Sequence, residues 1–414
     1  MTGTDVFFQE WGRRRPGERR NLARAADLMR ELDISPAELP VIGVVGSKGK
    51  GTTATYASAC LAAAGLDVVT VTGPSYRSHR ERIRFNGAAI DEEGLSGHAA
   101  AIDAARSRLP APEGGYLGPS GLFLIAGLLE ARRRGADVCV LEAGMGGRGD
   151  ELRLAAPRVV ALASVFAEHI GILGDTVADI AQEKASVAGD STEAFVHLPQ
   201  TPPVQAVVES TVREATAGRV RPEEVHAVPD SPGPVPPGLR PAGLSADSAD
   251  LGCAAAGALL RCLGRAPGTR THEVLSTVRL PGRLSAHRVA ETELIVDSAI
   301  NGTGVRAAVR HARQRWPRID RVLICLPDHK DVGGAARELG SLPVTAATLP
   351  ESHLRFTRAL PGHWDRVEAD RLTRDGLTGM GSYVLVLGTV YFTGRVLDLI
   401  GADTERLFSA EGAA

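Results

Sequence analysis

Apolar residues are grouped along the chain in two ways. Short continuous runs, "VIGVV" (41–45), "DVVTVTG" (67–73), "ADVCVLEAG" (136–144) and "RVVALASVF" (158–166), read as buried strands. Between them, "GLFLIAGLLEARRRG" has the length of a helix and a stop at Gly135, and a second helix is expected from Asp175 to about Ala188. Buried strands that alternate with helices predict a parallel sheet covered on both faces. From Leu198 to Gly243 the chain turns proline-rich, notably "VPDSPGPVPPGLRPAG", which predicts irregular connections with room for a hairpin and no independent domain. A helix, "DLGCAAAGALLRCLG", follows. After "LPGRLSA" the alternation restarts with "ELIVDSAI", "RVLICLPD" and "YVLVLGTVYFTG", so a second, smaller α/β unit is expected from about Thr277.

Composition narrows the picture. Of 414 residues, 43% are hydrophobic and 23% charged, which suits packed domains and excludes global disorder. A formal net charge of −2 argues against a general nucleic-acid or membrane surface. The basic "GRRRPGERR" cluster, Gly12 to Arg20, reads as a solvated face at a helix start. Five cysteines occur without a C-x-x-C pair, and Cys139 and Cys325 sit in apolar runs as small hydrophobes, so a reducing compartment is expected. No stretch has signal-peptide character or bilayer length, which points to the cytoplasm. No heptad run stands out, and monomer is the default.

The chemistry starts at "VIGVVGSKGKGTT". A strand, a glycine-rich turn and a helix start form an anion site, because backbone N–H groups and the helix dipole point at the ligand. Gly46, Ser47, Lys48, Gly49, Lys50, Gly51, Thr52 and Thr53 are the candidate nucleotide-binding residues. The pattern is not a strict G-x-x-x-x-G-K-[ST], since Gly51 separates Lys50 from Thr52. The parts still suit a triphosphate, with Lys50 for the β/γ oxygens and Thr52 or Thr53 for Mg²⁺; the plain alternative is a glycine-rich turn with surface lysines. Glu142 is placed at the carboxyl end of a buried strand, where ligands of open α/β sheets gather. His169, just past the next strand, is a metal candidate or else a satisfied structural histidine. On "DTVADIAQEKASVA", Val177, Ile180, Lys184 and Val187 share one stripe, so Lys184 occupies the face that should be buried. It either snorkels or faces a phosphate or metal site.

At these residues the chain resembles the Mur ligase superfamily, in its folylpolyglutamate synthase and dihydrofolate synthase branch. "GSKGKGTT" is similar to G-T-N-G-K-G-S, "LEAGMGGRGD" to L-E-V-G-L-G-G-R-L-D, and "EHIGILGDTVADIAQEKASV" to D-H-x-x-x-L-G-x-T-x-x-x-I-A-x-E-K-A-G-I. The likeness continues in "LPGRLSA", "IVDSAINGTG", "DHKD" and "VLVLGTVYFTG". It implies a P-loop parallel-sheet ATPase domain over residues 1–276 and a smaller Rossmann-like α/β domain over 277–414. The implied activity is amide ligation: ATP phosphorylates a carboxylic acid, and an amino acid or amine attacks the acyl phosphate. By the same likeness Lys50, Lys184 and His169 are catalytic, and Thr52, Ser75, Glu142, His169 and Lys184 meet Mg²⁺. Lys184 would be carbamylated, and Arg283, Asp297 and Asn301 would close over the nucleotide.

Several positions depart from the pattern. Gly73 stands where the branch has a metal-binding serine, with Ser75 two residues on; Lys48 replaces an asparagine, and Ile300 replaces the histidine of D-G-A-H-N. "LSADSADLG" replaces the H-Q-x-x-N segment that meets adenine, and "ELRLAAP" replaces A-T-N. The N-terminal helix lacks the apolar approach that the branch uses for its pterin. An amide ligase with a folate or another acid–amine pair is the leading expectation. A non-catalytic binding or scaffolding protein on the same fold is the rival, and a kinase without the amide step would carry the same phosphate groups.

Overall fold

The computed structural model describes residues 5–35, 39–110, 114–225, 234–351 and 354–412. Two sheets organise the chain. The first contains Val41–Val45 (β1), Val68–Val71 (β2), Ile83–Phe85 (β3), Ala88–Ala89 (β4), Val138–Glu142 (β5), Val159–Leu162 (β6), Ala194–His197 (β7) and Glu223–Glu224 (β8), in the order β4-β3-β2-β5-β1-β6-β7-β8. β3 pairs antiparallel with both β2 and β4, and the other pairings are parallel. The second contains Ser285–Val289 (β9), Thr292–Asp297 (β10), Arg321–Cys325 (β11), Val344–Thr348 (β12), Asp365–Glu368 (β13) and Tyr383–Gly388 (β14), in the order β13-β12-β11-β14-β10-β9. Here β9 alone runs antiparallel to its neighbour.

Helices cover both faces of the first sheet, which is why β1 is buried along its whole length. Val41 and Val45 enter one core with Phe7, Leu28 and Phe123, from Asp5–Arg13 (α1), Leu22–Glu31 (α2) and, beyond Glu92–Arg108 (α4), Pro119–Arg134 (α5). Ile42 and Val44 enter the opposite core with the alanine-rich Lys50–Ala63 (α3) and a later helix, Ser245–Cys262 (α8). Small residues let those two helices come very close: a Cβ on Gly252 would lie 2.4 Å from the Thr53 carbonyl oxygen. Cys60 and Cys253 meet as free, buried thiols in this interface.

The expected elements appear, with local differences. Val177–Ala185 (α6) begins at a capping box between Thr176 and Asp179. The stretch 198–243, expected to be irregular, contains a 14-residue helix, Pro202–Ala215 (α7). Its two prolines occupy the first helical turn, where a missing N–H costs nothing, and Val204, Val208 and Val212 recur at four-residue spacing on its buried face. The proline-rich segment proper includes 226–233, outside the described residues. After Thr271–Ser276 (α9), the chain crosses to β9 and then to Gly302–Arg315 (α10). Among the described residues no helix is long and apolar enough to cross a membrane.

Candidate active site

β1 lies between β5 and β6, so the connections leave it in opposite directions and a crevice opens at its carboxyl end. The loop 46–49 fills that crevice. Gly46 (φ +141°) and Gly49 (φ +95°) lie in the conformational region that favours glycine, and neither has room for a side chain. A Cβ at Gly46 would sit 2.7 Å from that of Ala163, and one at Gly49 only 2.2 Å from Ser248 Oγ. Gly49 caps α3 without a side-chain bond, leaving its first N–H groups available to an anion. Ser47 anchors the loop: its N–H donates to the Ser164 carbonyl (2.8 Å), and Phe166 N–H donates to its hydroxyl (3.2 Å).

Two ammonium groups converge on one carbonyl. Lys50 Nζ and Lys184 Nζ each donate to the Gly46 oxygen at 3.1 Å. Lys184 is 2% exposed and pairs with Glu168 Oε1 at 2.8 Å. Burial is the main influence on Lys184 and lowers its pKa; Lys50 adds to that, and Glu168 opposes it. The helix stripe therefore does bury this lysine, against an acid and the phosphate loop. Glu168 was not singled out from the sequence, although it stands at the aspartate of the D-H motif and a buried lysine requires such a partner.

Glu142 ends β5 with one oxygen accepting from Gly73 N–H (3.0 Å) and the other 4.0 Å from Lys50 Nζ. Burial raises its pKa, and Lys50, Gly73 N–H and two arginines only partly offset that. Ser75, Thr52, Gly51, Glu142 and Arg283 share a cavity of about 70 Å³. His169 and Lys184 line a separate recess of about 30 Å³ with Lys50, Glu168 and Gly46. The candidate metal residues thus fall into two groups joined through Lys50. Among the described residues no three His, Cys, Asp or Glu side chains gather as a metal cage. The oxygen donors among them, Glu142, Thr52 and Ser75, beside a phosphate cradle fit Mg²⁺, which keeps several waters and takes phosphate oxygens as further ligands. His169 (φ +47°) has its pKa lowered first by burial, with nearby lysines adding and Glu168 opposing, which favours neutral imidazole.

Thr53 is a correction. Its side chain is fully buried and its hydroxyl donates to the Ser248 carbonyl (3.0 Å), so it holds α3 against α8 and leaves Thr52 as the loop threonine that lines the cavities.

The second sheet supplies the far wall. Arg283, Asp297, Asn301 and Thr303 face Lys48, Gly49 and Thr52 across a cleft of about 380 Å³. Asp297 accepts from Leu284 N–H (2.9 Å); burial raises its pKa against the pull of Arg283 and Lys48. Burial likewise lowers the Lys48 pKa, opposed by Asp297 and assisted by Arg283. The Asn301 side-chain oxygen caps α10 through Gly304 N–H (2.9 Å). From the "LSADSADLG" segment, which stands in place of the branch's H-Q-x-x-N, Leu244, Ser245, Asp247 and Ser248 line the cleft.

Arg82, also not singled out from the sequence, lies beyond Gly73. Its Nε is buried with no hydrogen-bond partner and its guanidinium lies 4.6 Å over the Phe123 ring. Phe8 and His79 complete an aromatic wall around that ring, at 6.1 and 5.9 Å. A desolvated cation with aromatic neighbours suits a carboxylic acid carried on a flat apolar group. Only the tertiary contacts disclose this, because "RERIRF" reads as an ordinary charged edge.

No protein-family profile matches the chain. The probable bifunctional folylpolyglutamate synthase/dihydropteroate synthase of Halobacterium salinarum is 34% identical over 176 residues, 42% of this chain and 22% of that protein. The dihydrofolate synthase/folylpolyglutamate synthase of Bacillus subtilis is 28% identical over 208 residues, 49% of this chain and 48% of that one. The chain thus spans less than half the length of these curated relatives. Mycobacterium tuberculosis folylpolyglutamate synthase, solved with ADP and AMPPCP, superposes with a TM-score of 0.78 at 21% identity, over 97% of this chain and 99% of that one. The fold is that of folylpolyglutamate synthase.

Proposed function

We propose that the protein is an ATP-dependent, ADP-forming ligase that joins a carboxylic acid to an amine through an acyl phosphate. The observation that carries this reading is the pair of ammonium groups, Lys50 and Lys184, on the Gly46 carbonyl, with Glu142 on one side and the desolvated Arg82 beyond it. The loop and Lys50 hold the triphosphate, and Arg82 holds the acid with its carboxylate toward the γ-phosphate. A carboxylate oxygen attacks the γ-phosphorus as the bond to the β-phosphate oxygen breaks, giving ADP and an acyl phosphate. The amine nitrogen then attacks the acyl carbon, phosphate leaves with the C–O electrons, and the nitrogen loses a proton. Glu142 with Thr52 or Ser75, and separately His169, would hold Mg²⁺ ions, which would supply charge neutralisation for the transferring phosphoryl group.

Lys184 has two forms to offer. As an ammonium it neutralises phosphate; as a carbamate, after its amine takes up CO₂ and loses a proton, it would face the metal. Its lowered pKa favours the free amine that this addition needs. Arg283 and Asp297 close the cleft and shield the acyl phosphate from water. The names of the relatives make a pterin-bearing acid and glutamate the first pair to try. The deciding assay is ADP release with each substrate omitted in turn, on wild type and Lys50→Ala. Release that needs both acid and amine and is lost in the variant supports ligation; AMP as product overturns it, and full biological function in Lys50→Ala would favour a scaffold.

A further inference from the structure

A cavity of about 620 Å³, larger than the cleft at the phosphate loop, opens beside the segment that joins the two sheets. Tyr56 of α3, His287 of β9 and the C-terminal segment around Arg406 contribute to its wall, so an occupant would touch both halves of the chain. Four arginines, Arg240, Arg279, Arg283 and Arg406, and one carboxylate, Asp403, line it, with Asp297 and Glu142 close to Arg283. The Asp403 carboxylate already accepts from the N–H groups of Glu405 and Arg406 (2.9 and 3.3 Å), and Arg240 is held by Asp247 and Asp250. Arg279 donates to the neighbouring Val278 carbonyl (3.2 Å), and among the described residues the guanidinium groups of Arg279 and Arg406, both on exposed residues, form no ion pair with a carboxylate. Guanidinium groups gathered in a concavity repel one another and focus a positive potential there. Arg283 lines this cavity, the cleft at the phosphate loop and the cavity of Glu142 alike.

We infer that this cavity is a second ligand site, for a small molecule carrying two or more negative charges, with Arg279 and Arg406 as its principal contacts. The ligand's charges are carboxylates or phosphates, since either satisfies a guanidinium fork. Bound there, it ties the two halves together across their connection and shares Arg283 with the cleft. This site is independent of the ligase reading, because its binding needs no turnover.

The test is calorimetry with two probes, tetraglutamate for carboxylates and inorganic tripolyphosphate for phosphates. Titration into Lys50→Ala removes the contribution of the phosphate loop. Binding of either probe to that variant, weakened about tenfold or more when Arg279→Ser and Arg406→Ser are added and weakened further by salt, is the expected result. The probe that binds identifies the source of charge. Absence of binding to Lys50→Ala by both probes, or binding indifferent to the double substitution, overturns the inference. Should the double variant fail to fold, Ala286→Glu places a carboxylate on the exposed cavity wall with every arginine retained, and must weaken binding equally.

Discussion

Replacing Glu142 with glutamine should stabilise the free protein and disable it. The Glu142 side chain is 8% exposed, and burial raises its pKa despite Lys50 at 4.0 Å. A carboxylate whose pKa is raised in the folded state costs stability in its ionised form. That cost sets in above the unfolded value of 4.5 and is complete above the folded one. Glutamine keeps the shape and can still accept from Gly73 N–H, now at 3.0 Å. What it forfeits is a long contact with Lys50, which retains its bond to the Gly46 carbonyl. Each pKa unit is worth about 1.4 kcal/mol, and exchanging a buried charge for a neutral isostere is commonly neutral or favourable, so the net gain should lie between zero and about 2 kcal/mol. Glu142→Ala, by contrast, leaves Gly73 N–H without its acceptor and should lose about 1–3 kcal/mol. Urea unfolding followed by circular dichroism at neutral pH measures both, and the advantage of Glu142→Gln should fade as the medium is acidified and Glu142 itself protonates. In turnover the same variant should fall about 10²–10³-fold and lose its Mg²⁺ dependence, as expected when a group that positions charge at the phosphoryl centre is removed. A Glu142→Gln protein destabilised by more than about 2 kcal/mol, or one with Mg²⁺-dependent turnover within about threefold of wild type, would refute the reasoning.

Other consequences are as specific. Gly49→Ala should cost about 1–3 kcal/mol and abolish ATP binding, because φ is +95° and the new methyl meets Ser248 Oγ at 2.2 Å; adding Ser248→Gly should recover the steric part in a thermal melt and leave the dihedral part. Arg82→Gln should raise KM for the acid at least tenfold and leave ATP affinity unchanged in calorimetry, and a change in ATP affinity alone would remove Arg82 from the acid site. Burial would raise the Glu130 pKa, but hydrogen bonds from His98, Arg133 and Arg134 outweigh it and hold the carboxyl at about 2. Because that value is depressed, its stabilisation is present above the unfolded 4.5 and drains away as pH falls toward about 2. Denaturant midpoints over that window should slope less in Glu130→Gln than in wild type.

Periodicity made one buried charge legible and hid its partner. The spacing of Val177, Ile180 and Val187 puts Lys184 on an inward face whatever the tertiary structure, because a helix fixes which residues share a side. Its partner Glu168 sits on the turn before that helix, beside His169 at positive φ, and no repeat reports such a conformation. Thr53 shows the converse: a motif names two adjacent threonines, but successive helical residues point about a third of a turn apart, and only packing against α8 decides which faces the cleft. Helix α7 was obscured because prolines that open a helix look the same in composition as prolines that prevent one. Arg82 needed the sheet edge, α5 and the N-terminal helix to be assembled before its isolation from acceptors could be seen.

The departures at Gly73 and Ile300 could be taken as marks of an abandoned active site, and the electrostatics weigh against that. Four groups around the cleft, Lys48, Lys184, Glu142 and Asp297, are each pushed by burial toward their uncharged forms. Burial penalises the charge of each in the free protein, and nearby opposite charges, Glu168 for Lys184 and Lys50 for Glu142 among them, offset it only in part. A scaffold gains nothing by keeping them, whereas a bound triphosphate with its cation would relieve these penalties together: the anion favours the charged lysines, and the cation favours the charged acids. Their joint presence, arranged by sign around a loop whose glycines admit no side chain, is what a working phosphoryl-transfer site requires. At position 73 the backbone N–H, which a serine would also carry, fixes one Glu142 oxygen and leaves the other turned toward Lys50, so that contact survives the loss of the serine hydroxyl.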